Sequence, residues 1–266
     1  MSTFVTTATL RALKQNGEKI ACLTSYDSSF THLIEDAGVE VVLVGDSLGM
    51  VVQGQDSTLP VTLDDMCYHA ACVARAGHTA LRVVDMPFMS YADTRQALES
   101  AARLMREGGA HLVKLEGGQI VADAVRALTA HGIPVCAHLG LIPQSVNQLG
   151  GYRVQGRDAA AAQQLLDDAR LLEDAGASAV VLECVPTALA KEITAAINIP
   201  TIGIGAGPYC DGQVLVLYDM LGIVPGKRPK FTRDFLAGAD GIPQALQAYV
   251  AAVKDGSFPA PEHSFD

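Results

Sequence analysis

Six ionisable residues, Asp46, Asp85, Lys114, Glu116, His138 and Glu183, stand at or near the ends of short, mostly apolar runs. The clearest run is Val41-Val-Leu-Val-Gly-Asp46, followed by Ser47, Leu48 and Gly49. Two aspartates and a glutamate offer hard oxygen donors. Ligation by thiolates or by several histidines is absent from the pattern, which favours Mg²⁺ or a similar ion over zinc. A lysine beside such acids suits a substrate that carries its own carboxylate. A glutamate set apart from the acidic group is a candidate general base. Together these types suit proton removal next to a carbonyl, with a metal holding the enolate oxygen. Each residue also has a structural explanation: Asp46 as a cap, Asp85 as a turn former, Lys114 with Glu116 as a plain ion pair, His138 as a satisfied core histidine. Their recurrence at equivalent points of successive runs is what favours chemistry.

The runs read as strands. Alternation puts Val42, Val44 and Asp46 on one face, so the Asp46 carboxylate is expected on the side of the two valines. Lys114 and Glu116 are two apart and share a face, with Leu115 pointing the other way, toward surrounding helices. Strands are expected over 20–26, 39–47, 80–84, 111–116, 133–138, 178–183 and 199–204. An eighth over 212–218 reads equally as the start of a helix. Between them lie helices over 27–37, from the Thr62 cap to Arg75, and over 94–107, 120–130, 159–175 and 187–197. A lead-in helix falls within 1–18 and a last helix at about 241–254. Polar loops occupy 49–60 and 144–158, and 225–235 is basic and irregular.

Eight strand–helix units without a linker or composition shift predict one α/β domain over 1–266, a (β/α)₈ TIM barrel with an N-terminal lead-in helix and a C-terminal helical extension. Near-continuous apolar strands imply parallel pairing with both faces covered. In such a barrel the carboxyl ends of the strands converge on one mouth, where the six ionisable residues would meet.

With 49% hydrophobic residues in 266, the chain can build a sizeable core. Its net charge of −10 and lack of a basic run argue against nucleic acid, so an anionic substrate must be met by local cations or a metal. The six cysteines form no Cys-x-x-Cys pair and read as buried thiols in a reducing compartment. No apolar run spans a bilayer and the first 13 residues do not read as a signal peptide, so no membrane contact and a cytoplasmic location are expected.

The ordered motifs Val44-Gly-Asp-Ser-Leu-Gly49, Gln53-Gly-x-Asp-Ser-Thr-Leu-Pro-Val-Thr62, Asp85-x-Pro-Phe88 and Val113-Lys-x-Glu-Gly-Gly118 continue through Val135-Cys-x-His-Leu-Gly-Leu-x-Pro-Gln-Ser-Val-Asn147, Gly150-Gly-Tyr152 and Val154-Gln-Gly-Arg157 to Leu182-Glu-Cys-Val-Pro186 and Gly203-Ile-Gly-Ala-Gly207. This set resembles the ketopantoate hydroxymethyltransferase family, from about residue 19 to the His-Ser-Phe near the C-terminus. The resemblance implies a (β/α)₈ barrel that binds Mg²⁺ and assembles as a homodecamer. The implied reaction transfers a hydroxymethyl group from 5,10-methylenetetrahydrofolate to 3-methyl-2-oxobutanoate, giving 2-dehydropantoate and tetrahydrofolate, in pantothenate biosynthesis. By the matching motifs, Asp46 and Asp85 would hold the metal and touch the substrate, with Glu116 in or next to the metal's shell. Ser47 and Lys114 would bind the 2-oxo acid, Glu183 would accept the proton, and His138 is assigned only to the pocket. Mild departures are Met86 within Asp-x-Pro-Phe, Leu115 between Lys and Glu, and Pro208-Tyr-Cys after the glycine turn.

Two rival readings are a Mg²⁺-dependent 2-oxo-acid lyase or mutase of the phosphoenolpyruvate mutase and isocitrate lyase type, and a barrel that only binds a phosphorylated ligand on Gly205-Ala-Gly207. The first group resembles itself in a Lys-x-Cys-Gly loop, which does not occur in this chain. The second leaves Glu183 and the aspartates unexplained. The folate contacts have no compact motif in the sequence.

Overall fold

In the computed structural model, eight parallel strands close into a barrel in chain order. They are β1 (Ile20–Thr24), β2 (Val41–Val44), β3 (Leu81–Asp85), β4 (Leu112–Glu116), β5 (Val135–Gly140), β6 (Ala179–Glu183), β7 (Thr201–Ile204) and β8 (Gly212–Leu215). The structure describes residues 4–224, 226 and 228–266. The first three positions of the expected lead-in segment, and positions 225 and 227 of the basic stretch, lie outside the described residues.

Alternation along each strand sorts the side chains into two cores. Ile20, Val41, Leu43, Leu81, Val83, Leu112, Val181, Ile202 and Val214 fill the barrel. Val42, Val44, Leu115 and Leu182 face outward and pack with helix residues such as Met66, Leu104, Leu128 and Ile193. Parallel strands buried on both faces need apolar residues at nearly every position, which is why these strands read as continuous runs. Leu115 thus faces the helices as its spacing predicts.

Helix α1 (Thr7–Asn16) precedes β1; between the strands lie α2 (Ser28–Asp36), α3 (Leu48–Val51), α4 (Leu63–Ala76), α5 (Thr94–Arg106), α6 (Ala122–Ala130), α7 (Val146–Leu149), α8 (Ala159–Asp174) and α9 (Thr187–Ala196), and α10 (Leu217–Met220) and α11 (Ile242–Asp255) follow β8. Thr62 caps α4 as expected, in a box where its hydroxyl receives the Asp65 N–H and the Asp65 carboxylate receives the Thr62 N–H. Asp27, Asp93 and Asp158 cap α2, α5 and α8, each side chain accepting a backbone N–H in the first turn. The lead-in helix α1 does not sit apart. Its Leu10 is buried in the barrel's inner core, with Val5 and Leu13 packed against the same cluster.

The register sets the site. Asp85 pairs with Lys114 across β3 and β4, Glu116 with His138 across β4 and β5, and Gly140 with Glu183 across β5 and β6. Gly140 adopts φ +93°, and a Cβ there would lie 2.2 Å from the Glu183 carbonyl oxygen, so only glycine lets β5 end against β6.

Candidate active site

All seven residues singled out in the sequence, Asp46, Ser47, Asp85, Lys114, Glu116, His138 and Glu183, line one cavity of about 950 Å³ at the carboxyl end of the barrel. One of them arrives by a different route from the one expected. Strand β2 stops at Val44, and the chain turns at once, with the Leu48 N–H donating to Gly45 O and the Gly49 N–H to Asp46 O. Alternation therefore ends before Asp46. Val42 and Val44 face the helices, whereas the turn carries the Asp46 carboxylate into the cavity. Gly45 makes room for this, since a Cβ there would sit 2.8 Å from Ser47 Oγ.

The Asp46 N–H donates to Asp85 Oδ2 at 3.0 Å, and Lys114 Nζ lies 2.8 Å from Asp85 Oδ1. The lysine thus pairs with the aspartate on the neighbouring strand and not with Glu116, the partner its sequence spacing suggests. Glu116 is held elsewhere: Oε1 lies 3.3 Å from His138 Nδ1, and Oε2 receives the Gln144 N–H at 3.0 Å. His138 Nε2 lies 3.2 Å from Glu183 Oε2. The imidazole therefore bridges two carboxylates, with Lys114 Nζ 3.3 Å from its Nδ1. Ser47 Oγ shares a 2.9 Å hydrogen bond with the Tyr26 hydroxyl.

Burial decides the electrostatics. Asp46, Asp85, Lys114, Glu116 and His138 are each no more than 5% exposed. Burial, then the like charges of Asp85 and Glu116, push the Asp46 carboxyl well above its ordinary range. Burial alone would lower the Lys114 ammonium, but the carboxylates of Asp85, Glu116 and Asp46 outweigh it and raise its pKa. Burial and the nearby Lys114 also oppose a charged His138, yet its contacts to Glu116 and Glu183 lift it to about 9. Burial would raise Glu116, and the His138 contact reverses that and lowers it.

Glu183 ends β6 with 15% of its side chain exposed, the most open carboxylate of the group. Its neighbour Leu182 faces the helices, Val181 faces the barrel interior, and Cys184 follows at φ +47°. A left-handed conformation at a residue with a Cβ is uncommon and costs energy. It is held from both sides: the Cys184 N–H donates to Ile204 O and its carbonyl accepts the Gln155 N–H, both at 2.9 Å.

The charged groups announce themselves by type, but the neutral groups that orient them do not. Gln144, Tyr91 and Tyr26 belong to this set and lie in loops or just beyond strands. Gln144 was visible only as part of the Pro-Gln-Ser motif. The outer cavity adds Tyr152, Arg153, Arg228, Lys230 and Phe231. Asp219, also lining it, is raised by burial to about 6 against the pull of Arg228.

A hard divalent cation fits this donor set. Buried Asp85 Oδ1 has no aligned hydrogen bond, and the strain on Asp46 is of the kind that a cation relieves. Among the described residues no three His, Cys, Asp or Glu side chains close on one point. Asp46, Asp85 and Glu116 therefore do not converge as three ligands of one ion, and an ion held by Asp46 and Asp85 would take its other positions from water or substrate. The Gly205-Ala-Gly207 turn offers no open phosphate cradle. A Cβ at Gly205 would meet Phe231 at 3.0 Å and Phe265 at 3.1 Å, and one at Gly207 would meet Thr187 at 2.7 Å.

Comparison with known proteins follows the same direction. The family described as Ketopantoate hydroxymethyltransferase matches residues 4–261. The 3-methyl-2-oxobutanoate hydroxymethyltransferase of Nitrosococcus oceani is 60% identical over 261 residues, covering 98% of this chain and 99% of the relative. That of Thiobacillus denitrificans is 61% identical with the same coverage. Among solved structures, oxaloacetate acetylhydrolase in complex with oxalate aligns at a TM-score of 0.63 and 17% identity, covering 97% of this chain and 99% of that one. A 2,3-dimethylmalate lyase, a PEP mutase/isocitrate lyase superfamily member, aligns at 0.60 and 18% identity, covering 94% and 96%. At such identity these structures show a shared fold alone.

Proposed function

The chain belongs to the ketopantoate hydroxymethyltransferase family, and from that premise we propose that it transfers the one-carbon unit of 5,10-methylenetetrahydrofolate to C3 of 3-methyl-2-oxobutanoate. The products are 2-dehydropantoate, a pantothenate precursor, and tetrahydrofolate, with water supplying the hydroxyl. The observation that carries the reading is the division of labour among the carboxylates: a buried pair, Asp46 and Asp85, joined by the Asp46 N–H to Asp85 Oδ2 with Lys114 on Asp85 Oδ1, and a separate, more open Glu183 on the far side of His138.

Asp46 and Asp85 would hold Mg²⁺, and Glu116, with both oxygens engaged by His138 and Gln144, stands behind them. When bound, the ion would draw electron density from the keto oxygen and make the C3 hydrogen more acidic. Lys114 supplies a fixed positive charge for the oxo acid's carboxylate, and the Ser47 hydroxyl, positioned by Tyr26, adds a hydrogen-bonding group. Glu183 takes the C3 proton, and the electron pair of that C–H bond forms the new bond to the folate's methylene carbon. Both C–N bonds of that carbon break, water oxygen takes the place of the second nitrogen, and the C3 proton and one proton of the water end on N5 and N10 of the departing tetrahydrofolate. His138, held as a cation at neutral pH, orients Glu183 and does not compete with it as the base. The cavity lies near the upper end of the roughly 300–1,000 Å³ occupied by drug-sized ligands, so a five-carbon oxo acid leaves room for the folate.

The test is exchange at C3. With Mg²⁺ and 3-methyl-2-oxobutanoate but no folate, the enzyme in deuterium oxide is expected to label C3. Absence of labelling, with turnover intact when folate is added, would remove independent enolisation from the scheme. The same family reading implies a cytoplasmic homo-oligomer, a decamer, which sedimentation velocity tests. No helix among the described residues is long and apolar enough to cross a membrane.

A further inference from the structure

Gln144 makes four polar contacts in and around the acidic cluster. It lies in the short turn Pro143–Ser145 that follows β5, and only 6% of it is exposed. Its Nε2 donates to Asp46 Oδ2 at 2.8 Å and to the Met86 carbonyl at 3.0 Å. Its Oε1 accepts from the Tyr91 hydroxyl, and its own backbone N–H donates to Glu116 Oε2 at 3.0 Å. The Tyr91 hydroxyl in turn accepts the Glu116 N–H at 3.3 Å. This single side chain and its backbone N–H therefore tie together the ends of β2, β3 and β4.

We propose that Gln144, oriented by Tyr91, is a positioning residue that sets the Asp46 carboxylate for a divalent cation by holding Oδ2 and leaving Oδ1 to the cavity. Oδ1 takes no hydrogen bond from the described residues. An amide is suited to this task for an electrostatic reason. Asp46, Asp85 and Glu116 crowd three acids into a buried space where Lys114 pairs with Asp85 and His138 with Glu116, which leaves Asp46 without a cationic partner of its own. A second lysine or arginine facing Asp46 would cancel the charge that attracts a metal. A carboxylate there would add a fourth acid and leave Asp46 without a donor. The amide donates without changing the charge. Tyr91 fixes which way the amide points, because its hydroxyl donates to Gln144 Oε1 and so turns Nε2 toward Asp46.

The inference rests on the assignment of Asp46 and Asp85 as metal ligands, and the experiment separates the two. Mn²⁺ is titrated into metal-free wild type, Asp85→Asn, Gln144→Met and Tyr91→Phe, with free Mn²⁺ read by electron paramagnetic resonance and Tm measured in parallel. Gln144→Met keeps side-chain length and the backbone bond to Glu116. Tyr91→Phe removes a single hydroxyl and stands in if the first variant does not fold. Partners that orient metal ligands typically contribute about 10–100-fold in affinity. Gln144→Met is expected to weaken Mn²⁺ by about that factor, and Tyr91→Phe in the same direction by less. If wild type binds Mn²⁺ and Asp85→Asn does not, while Gln144→Met and Tyr91→Phe bind as wild type, the metal assignment stands and the role of Gln144 is overturned. A fall in Tm with unchanged Mn²⁺ affinity likewise reduces Gln144 to scaffolding. If wild type binds no Mn²⁺, or Asp85→Asn binds as well as wild type, the metal assignment and this inference fall together.

Discussion

His138 lies beside a carboxylate at each ring nitrogen, and this bears on which group in the cavity can take a proton. Its two carboxylate contacts lift it to about 9, toward the protonated form at neutral pH. Glu183, partly open to the cavity, is the base we propose. Glu183→Gln keeps the shape and removes the basicity, so C3 deuterium exchange and product formation should both fall by about 10²–10⁴-fold, with binding of the oxo acid retained. Exchange at the wild-type rate in that variant would move the base elsewhere. Lys114→Met should lower kcat/KM for the oxo acid by an amount corresponding to about 2–4 kcal/mol, as for other removed electrostatic stabilisers. It should lower Tm as well, because Asp85 is left buried without its counter-charge. A Tm loss with kcat/KM untouched would make Lys114 structural only. The charged members of this site could be read from the sequence because an ion at the end of an apolar run has few other reasons to be there. The partners of those ions could not. Lys114 takes Asp85 from the next strand, which no spacing within one strand reveals, and Gln144 and Tyr91 are neutral residues of loops whose type carries no signal.

Elements were easiest to read where side-chain chemistry punctuates them. Thr62 before Leu63 marks the start of α4, and the glycine at 108 lies beyond α5. Boundaries set by hydrogen bonding alone were not readable. The run 39–47 shrinks to β2 (Val41–Val44), because the chain leaves the ladder when it turns at Gly45. The ambiguous run 212–218 is both things in sequence: β8 to Leu215, then the short α10 from Leu217. The loops 49–60 and 144–158 hold short helices, α3 and α7, of four residues each, too brief for periodicity to show. The junction of β3 and β4 carries a pH dependence of its own. Both ring nitrogens of His111 face donors, the Arg82 N–H at 3.1 Å and the Arg82 guanidinium at 2.7 Å. A neutral imidazole has one lone pair to offer them and a protonated one has none. Burial, then the charge of Arg82, holds His111 down to about 4, below the roughly 6.5 expected of an unfolded chain. The folded state therefore binds fewer protons between those values, so its contribution to stability is complete above about 6.5 and lost as pH falls toward 4. Comparing Tm of wild type and His111→Gln across pH 3–8 should show their difference moving against wild type only between about 6.5 and 4. A difference that stays constant over that range would mean His111 titrates as if unfolded.

The whole molecule separates its two tasks along the barrel axis. Every residue proposed to touch substrate or metal lies at the carboxyl ends of the strands, the end that carries chemistry in such barrels. The opposite end is closed by α1, whose Leu10 enters the inner core beside Ile20, Val41, Leu81 and Leu112. Lys14 of the same helix pins it to the wall, donating to the Thr194 and Ile199 carbonyls and pairing with Asp211 at 2.9 Å. Between the two ends lies a void of about 20 Å³ lined by Leu10, Leu112, Val181 and Lys114 among others. Its lining is apolar apart from Lys114, so the acidic cluster rests on the apolar inner core. This arrangement separates the effects of mutation. Leu10→Ala removes buried methyl groups and enlarges that void, which costs about 2–5 kcal/mol where surroundings relax incompletely. At about 2–4 °C per kcal/mol for a chain of this size, Tm should fall by roughly 4–20 °C. Because the strand register that sets Asp85 beside Lys114 and Glu116 beside His138 is untouched, kcat/KM measured well below the new Tm should stay near the wild-type value. Thermal melts and steady-state rates on the same preparation check both halves. A Leu10→Ala enzyme that melts like wild type but turns over slowly would show that the amino end of the barrel tunes the site, through the void beneath Lys114, and does not only hold the barrel together.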